Sequence, residues 1–175
     1  MFLKTDTLYL RALESSDLEF LYALENNVAA WQVSNTITPF SKEIVALYIE
    51  QAALDIYTTK QLRLVMCTAN QERIGTIDLF DFDPLHRRAG IGIIILPSYQ
   101  RQNFASQALK LLLHYCYQHL ILRQVYCSIA EDNVASLRLF QKFDFRIIGK
   151  REQWLKTSAG WIDVWELQKI LTKSD

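Results

Sequence analysis

The chain has 175 residues, of which 50% are apolar and 22% are charged, the length and composition of a single globular domain. Its nineteen basic and nineteen acidic residues cancel, so the sequence offers no excess positive charge for a nucleic acid or an anionic membrane. We therefore expect one domain over residues 1–175, with neither nucleic acid nor membrane as a partner.

Cysteine and histidine usage argues against disulfides and metal sites. Cys67, Cys116 and Cys127 are widely separated and each lies in an apolar stretch, which is typical of buried thiols in a reducing compartment. His114 and His119 are too isolated to suggest a metal site. The first residues lack the features of a signal peptide, and no apolar run approaches the roughly 18 residues of a membrane span. We expect a cytoplasmic protein without a bound metal.

The first third of the chain predicts a strand followed by two helices. Residues 7–13 alternate as a half-buried strand does, and Ser16-x-x-Glu19 has the form of a capping box for a helix ending near Asn27. Ser41 is a suitable N-cap for the second helix. The predicted core face of that helix consists of Ile44, Leu47, Tyr48 and Ala52.

The remainder of the chain predicts a meander, a helix–strand–helix series and a final hairpin. Three β-rich segments separated by short polar turns form the meander, and the third is so continuously apolar that we expect it to be buried on both faces. The predicted strands after the first cover residues 62–67, 73–82, 88–96, 124–129, 145–156 and 160–171. The predicted helices cover residues 104–119 and a shorter stretch from Asn133 or Val134.

The connection between the strand ending at Leu96 and the helix beginning near Asn103 is the first candidate for chemistry. A helix N-terminus presents unpaired N–H groups and the positive end of the helix dipole, which suits a phosphate group. Every strand-to-helix connection shares this property, however. Taken alone, the segment favours an ordinary connection over a phosphate site.

Two motifs in register place this connection in a larger pattern. They are Gln100-x-x-Asn103-x-Ala105 and, later, Asn133-x-x-Ser136 with Phe140-x-Lys142-x-Asp144-Phe145. In order and spacing they resemble the GNAT superfamily of N-acetyltransferases. Two further segments are similar to the branch of bacterial spermidine N-acetyltransferase and of the acetyltransferases of ribosomal-protein amino termini. These segments are Leu10-Arg11-Ala12-Leu13-Glu14-x-x-Asp17-Leu18 and His86-Arg87-Arg88-Ala89.

The resemblance implies a fold, a cosubstrate and a set of contacts. The fold is α/β (α+β), with a mixed, mostly antiparallel, twisted sheet of about seven strands, splayed at the cofactor site and flanked by about four helices. The cosubstrate is acetyl-CoA, whose pantetheine arm would pair with the backbone of Ile94, Ile95 and Leu96. The other implied contacts are Gln100, Arg101, Gln102, Asn103, Phe104, Ala105, Ser106, Asn133, Ser136, Phe140 and Lys142.

Some of these residues have ordinary explanations or depart from the family pattern. Asn133 is equally explained as an N-cap, and Lys142 is better explained as a solvated residue beside a helix C-terminus. Asn103 replaces a glycine of positive φ, a conformation that Asn tolerates at a cost of about 1 kcal/mol. Phe140 replaces the tyrosine that protonates the departing thiolate in many members, and a phenyl ring cannot donate a proton.

The implied chemistry is direct attack by a neutral amine on the acetyl thioester. A backbone N–H of residues 93–95, with Ile94 as the first candidate, would stabilise the oxyanion of the tetrahedral intermediate. The amine must lose a proton, so a carboxylate or an ordered water is needed as base. The candidates are Asp78, Asp81, and Glu131 or Asp132, although a surface role is the commoner explanation for each. In a regular strand Asp78 and Asp81 would point to opposite faces.

We therefore expect an acetyl-CoA-dependent N-acetyltransferase. Its acceptor is a polyamine such as spermidine, another small-molecule amine, or the amino terminus of a peptide or protein. The alternative is a CoA-binding regulatory or interaction module without turnover, which Asn103 and Phe140 motivate. Gly90 replaces an acidic residue of the spermidine enzymes, so the sequence leaves the acceptor open. It also leaves the oligomeric state open, a homo-oligomer included.

Overall fold

Seven strands form one sheet in the computed structural model, which describes residues 3–27, 31 and 37–173. They are β1 (Leu8–Ala12), β2 (Leu62–Thr68), β3 (Arg73–Asp83), β4 (Arg88–Ile95), β5 (Gln124–Ala130), β6 (Arg146–Thr157) and β7 (Gly160–Ile170). Their order across the sheet is β1-β2-β3-β4-β5-β7-β6. Only the β4–β5 pair is parallel among these neighbours. The prediction of a mixed, mostly antiparallel, seven-stranded sheet is confirmed.

Five α-helices flank the sheet in the described part of the chain, against about four predicted. They are α1 (Leu18–Glu25), α2 (Lys42–Gln51), α3 (Ile56–Thr59), α4 (Phe104–Gln118) and α5 (Val134–Lys142). The unpredicted α3 is a single turn, held by Asp55, whose carboxylate accepts hydrogen bonds from the N–H groups of Tyr57 and Thr58. A local side-chain cap thus stabilises a helix too short to show a periodic pattern.

The predicted capping box at Ser16 and Glu19 is wrong. The box is formed by Glu14 and Asp17 around a 3₁₀ turn (Ser15–Asp17), and α1 begins only at Leu18. The Asp17 carboxylate accepts a hydrogen bond from the Glu14 N–H at 2.8 Å and is fully buried. Arginines from β1 and β3 balance the charge of Asp17, so a tertiary ion cluster determines where this helix starts.

Ser41 caps α2 as predicted, whereas the predicted core face of α2 is wrong at Ile44 and Leu47 and holds at Tyr48, which packs against the core. The Ser41 hydroxyl accepts a hydrogen bond from the Ile44 N–H at 3.2 Å. Ile44 and Leu47 are 52% and 53% exposed, whereas Val45 and Ile49 are buried against α1. The side of α2 that carries Ile44 and Leu47 and the side that carries Val45 and Ile49 are both apolar in sequence. The position of α1 decides which of the two sides is buried.

Helices cover both faces of the sheet, and β4 contributes to both cores. On one face α1 and α2 pack around Leu21 and Leu24, with Ile94 and Leu96 of the β4 end against them. On the other face α4 and α5 form the larger core, which Ile93 and Ile95 join. The expected burial of β4 on both faces holds only in its first half. Residues 92–95 are half-buried because the neighbouring strand diverges there.

Candidate functional site

The sheet opens between its two central strands. β4 and β5 pair only at Arg88–Gln124, Ala89–Val125 and Gly90–Tyr126. On its other side β4 stays paired with β3 as far as Ile95. Among the described residues, no strand lies beside the β4 backbone on the β5 side from Ile91 onward. An extended ligand with amide groups can add there as a strand does, because backbone donors and acceptors need partners.

A turn with two left-handed residues connects the open end of β4 to α4. Arg101 has φ 61° and Asn103 has φ 65°, and Asn103 is the N-cap of α4. The side-chain amide of Gln100 donates to the Ile95 carbonyl at 3.2 Å, which ties the turn to the strand. The positive φ predicted for Asn103 is confirmed. The N–H groups of the first turn of α4 have no partner within the helix, so this end of the opening suits an anion.

The second predicted motif lies against the same helix end. Lys142, the last residue of α5, places Nζ 3.4 Å from the Ser106 hydroxyl in the first turn of α4. The solvated helix end that the sequence favoured for Lys142 is thus joined by a contact with the turn. Asn133 caps α5, and its Oδ1 accepts from the Ser136 N–H at 3.1 Å. The positive charge of Lys142 therefore lies beside the α4 N-terminus.

Phe140 is a core residue. Its side chain is 4% exposed and packs edge-to-face on Phe145, with ring centroids 4.9 Å apart. This burial explains why a phenyl ring is accommodated at the position. The ring supplies no proton to a leaving group.

The candidate bases Asp78 and Glu131 both accept hydrogen bonds from other parts of the chain. Asp78 accepts two hydrogen bonds from Arg63, at 2.8 Å and 2.7 Å. Arg63 also pairs with Glu25 of α1 and lies 5.1 Å from the Tyr48 ring. Glu131 accepts a hydrogen bond from the Asp163 N–H at 3.0 Å. The Asp78 carboxylate thus belongs to an ion cluster that holds α1 and α2 on the sheet.

Asp81 lies at an irregularity and points where a regular strand would not direct it. The β3–β4 register shifts between Phe80 and Asp83, and Asp81 has φ 49°. The Tyr126 hydroxyl donates a hydrogen bond to Asp81 Oδ2 at 3.2 Å. The Asp81 carboxylate therefore lies on the same face of the sheet as the Asp78 carboxylate. The prediction of opposite faces held for a regular strand, and the irregularity in β3 re-aims the Asp81 side chain. Burial, with the charge and hydrogen bond of Asp81, raises the pKa of Tyr126 to about 12.

Sequence reasoning missed Ser128 and Glu166, which meet across β5 and β7. The Ser128 hydroxyl donates to Glu166 Oε2 at 2.9 Å. Arg151 Nε lies 3.0 Å from Oε1, yet this buried oxygen accepts no hydrogen bond. The one available signal was alternation, since β5 and β7 carry polar residues on the face away from α4. A cavity of about 480 Å³ opens on that face beside Tyr126.

Two kinds of feature are absent from the described ranges. No helix there is long and apolar enough to cross a membrane. In the same ranges no three His, Cys, Asp or Glu side chains are grouped to hold a metal ion. All three cysteines are buried as free thiols, and burial raises the pKa of Cys116 and Cys127.

A sheet opened between parallel strands, with a helix N-terminus at its mouth, defines a domain that binds a long phosphate-bearing carrier, as CoA-dependent acyltransferases do. A family model described as "Acetyltransferase (GNAT) domain" matches residues 7–146. The chain therefore belongs to the GNAT family. It is an N-acetyltransferase that uses acetyl-CoA to acetylate an amine.

Curated relatives and solved structures agree with this assignment. Spermidine N(1)-acetyltransferase from Vibrio cholerae is 30% identical over 140 residues, which cover 79% of this chain and 78% of the relative. The Escherichia coli K12 enzyme of the same name is 28% identical over 144 residues, or 81% and 74% of the two chains. The structure of spermidine N-acetyltransferase from Vibrio cholerae in complex with CoA and spermine superposes with a TM-score of 0.87. It is 26% identical, and the match covers 97% of this chain and 98% of that one.

Proposed function

We propose that the chain transfers the acetyl group of acetyl-CoA to a primary amine of an aliphatic polyamine. The observation that carries the proposal is the opening of the sheet between β4 and β5, which has the α4 N-terminus at its mouth. The sheet face opposite α4 carries carboxylates beside this opening, Asp81 among them. The similar enzymes named for spermidine support the same acceptor class. A polyamine is cationic at neutral pH. The carboxylates on this face therefore attract a polyamine more strongly than they attract an uncharged acceptor.

The geometry of the opening supports a set of cofactor contacts. The pantetheine arm extends along the β4 backbone at Ile94, Ile95 and Leu96. The pyrophosphate binds at residues 100–106, where the helix dipole, first-turn N–H groups and Arg101 supply positive potential. Lys142 adds a charge from the α5 end. Asn133 and Ser136 approach the arm from the β5 side of the opening.

The chemistry needs little more than positioning. The amine lone pair attacks the thioester carbonyl, a C–N bond forms, and the C–S bond then breaks to release the CoA thiolate. The Ile94 N–H stabilises the oxyanion of the tetrahedral intermediate. Asp78 is held by Arg63, so the ammonium proton passes to water on the polar face of the sheet. The thiolate leaves without a tyrosine acid, because a thiol of pKa about 8.5 is a tolerable leaving group.

An acceptor panel tests the function directly. Thiol release from acetyl-CoA is measured with spermidine, spermine, short diamines, aminoglycosides and peptides that begin with Ala or Ser. CoA-induced thermal stabilisation is recorded on the same samples. We expect turnover with the polyamines at far lower KM than with peptides. Preferred turnover of peptides or aminoglycosides would contradict the acceptor class. CoA stabilisation without turnover of any amine would instead indicate a binding module.

A charge in the turn tests the cofactor site. Ala105→Glu places a carboxylate in the first turn of α4, where it repels the pyrophosphate, and we expect CoA binding to fall below detection. Ala53→Glu adds the same charge at an exposed position after α2 and should leave the Kd for CoA unchanged. Both are measured by calorimetric titration with CoA. Unchanged binding in Ala105→Glu would place the pyrophosphate elsewhere.

Self-association is a second part of the proposal. β6 is an edge strand exposed along most of its length, and Trp154 and Trp161 of the final hairpin are largely exposed. A similar Vibrio cholerae enzyme is described as dodecameric. We expect size-exclusion chromatography with light scattering to give a mass of several chains. The double change Trp154→Lys and Trp161→Lys should lower that mass, and an unchanged mass would exclude this hairpin as the contact.

A further inference from the structure

Two aromatic rings close the β4–β5 opening at its narrow end. Phe80, Gly90 and Tyr126 form one row across β3, β4 and β5, and this row contains the last pair between β4 and β5. A Cβ atom at Gly90 would clash with the Phe80 ring, so the ring occupies the place of the missing side chain. The Phe80 ring meets the Tyr126 ring edge-to-face, with centroids 6.0 Å apart. We call these two rings the aromatic wall.

The aromatic wall separates the opening from the cavity of about 480 Å³. The cavity is lined by Arg88, Gln124 and Tyr126, among others, and the Arg88–Gln124 pair lies two residues from the Gly90–Tyr126 pair toward the closed end of the sheet. The Tyr126 hydroxyl donates to Asp81 Oδ2 at 3.2 Å, which fixes this half of the wall. A ligand in the opening therefore meets the rings before it can reach the cavity.

A narrow space lies over Gly92 on the open side of the wall. Gly92 follows Gly90 on the same face of β4, and a Cβ atom there would contact the Phe80 ring edge at 3.8 Å. Ile94 is the next residue on this face, about 6.6 Å further along the strand. Because carbon atoms pack about 3.5–4.0 Å apart, the space between the ring and Ile94 admits a single row of carbon atoms. We call this space the Gly92 notch.

The reactive end of the cosubstrate points toward the Gly92 notch. The α4 N-terminus lies at the mouth of the opening, and an arm that enters there runs along β4 toward the narrow end. With the thioester at Ile94, the reacting groups lie between Ile94 and the aromatic wall. On the β3 side, Asp78 stands opposite Gly92 and is held in place by Arg63. The carbon that carries the attacking amine must therefore fit the notch.

We infer that Phe80 determines acceptor specificity, because the aromatic wall restricts the enzyme to amines on an unbranched methylene carbon. The chain of such an amine passes through the Gly92 notch, whereas a substituent on the carbon bonded to nitrogen collides with the Phe80 ring or with Ile94. The inference rests on the proposed function, since it takes the thioester to lie at Ile94. It excludes α-branched amines by shape, and the amino termini of peptides that begin with Ala or Ser are among them.

A pair of acceptors of equal charge tests the wall in the unmodified enzyme. Spermidine carries its primary amines on unbranched carbons, and 1,8-dimethylspermidine has a methyl group on each of those two carbons. We expect kcat/KM for the dimethylated acceptor to be about 10- to 100-fold lower, the usual effect of forcing an extra methyl group into a packed site. Equal kcat/KM for the two acceptors would overturn the inference while polyamine turnover stands.

Removal of the ring should relax this selectivity. Phe80→Ala joins the Gly92 notch to the cavity and should raise kcat/KM for 1,8-dimethylspermidine at least about tenfold relative to spermidine, with an unchanged Kd for CoA. Tyr57→Ala is the matched control, because it removes a ring that packs edge-to-face on Phe82, at 5.2 Å, in the core on the other face. The control should leave the ratio of the two acceptors unchanged. An unchanged ratio in Phe80→Ala would overturn the assignment of Phe80.

A filling variant tests the Gly92 notch while keeping the ring. Gly92→Ala adds a methyl group at an ordinary contact distance from Phe80, so the fold accommodates it. The KM for spermidine should rise about tenfold, and the Kd for CoA, measured by calorimetry, should not change. An unchanged KM would show that the acceptor does not pass through the notch, which also overturns the inference. If the unmodified enzyme acetylates no polyamine, the acceptor class itself fails and the role of Phe80 fails with it.

Discussion

Asn103 shows how one residue can preserve a turn that usually requires glycine. Its φ of 65° lies in the left-handed region, which costs an L-residue about 1–2 kcal/mol and costs glycine nothing. Asn103→Gly should therefore keep or lower the Kd for CoA. Asn103→Val should raise it and destabilise the protein, since a β-branched residue resists positive φ. Titration calorimetry and urea unfolding measure both effects. A large rise in Kd for Asn103→Gly would show that the Asn side chain itself binds the cofactor.

Substitution of Asp78 distinguishes a structural role of this carboxylate from a role as the catalytic base. Asp78→Asn breaks the buried pair with Arg63 and should lower the free energy of unfolding by about 3 kcal/mol. Because Asp78 transfers no proton in the proposed chemistry, the pH profile of kcat should keep its shape. Chemical denaturation and pH–rate measurements provide the two readouts. Loss of the acidic limb of the profile at unchanged stability would restore Asp78 as the base.

These two residues differ in how far sequence could describe them. The positive φ of Asn103 follows from its place in a turn motif, which is local. The role of Asp78 depends on Arg63, which faces it only because β2 and β3 pair in that register. The same holds for Glu166 and Ser128, whose contact needs β5 beside β7. Local patterns predict backbone conformation, and side-chain partners come from long-range pairing.

Helix α2 illustrates what a local cap contributes. Ser41→Ala removes the hydroxyl that accepts from the Ile44 N–H and should cost about 1 kcal/mol of stability. Ser16→Ala is the informative comparison, because Ser16 does not cap α1 and its loss should cost less than about 0.5 kcal/mol. Urea denaturation midpoints resolve the difference. Equal losses would mean that Ser16 supports the helix start after all.

Across the whole molecule, one ion cluster joins three elements. Asp17, at the start of α1, pairs with Arg11 of β1 at 2.6 Å and with Arg73 of β3 at 2.8 Å. Burial alone would raise the pKa of Asp17. The hydrogen bonds from Arg11 and from the Glu14 N–H, together with both arginine charges, hold that pKa below its ordinary value. The carboxylate therefore stabilises the folded chain only while it is ionised.

The ionised Asp17 carboxylate makes the stability of the protein depend on pH in acid. A depressed folded-state pKa contributes stability that is fully present above the unfolded pKa of about 3.9 and is lost as the pH falls through the folded value. We expect the free energy of unfolding to decline below about pH 4. In Asp17→Asn the protein should be less stable by about 3 kcal/mol at pH 7, with a weaker decline in acid. Urea unfolding from pH 7 to pH 2 measures both. An unchanged slope in the variant would assign the acid transition to other carboxylates.

Sequence by itself determined the strands, most of the helices and the family of this protein. The strands lie within about two residues of their predicted positions, since hydrophobic periodicity and turn residues are local properties. The two motifs around Asn103 and Asn133 indicated the acetyltransferase family for the same reason. The start of α1, the buried face of α2 and the contact of Lys142 with Ser106 were decided only by the tertiary structure. Each depends on residues distant in the chain, which no local pattern records.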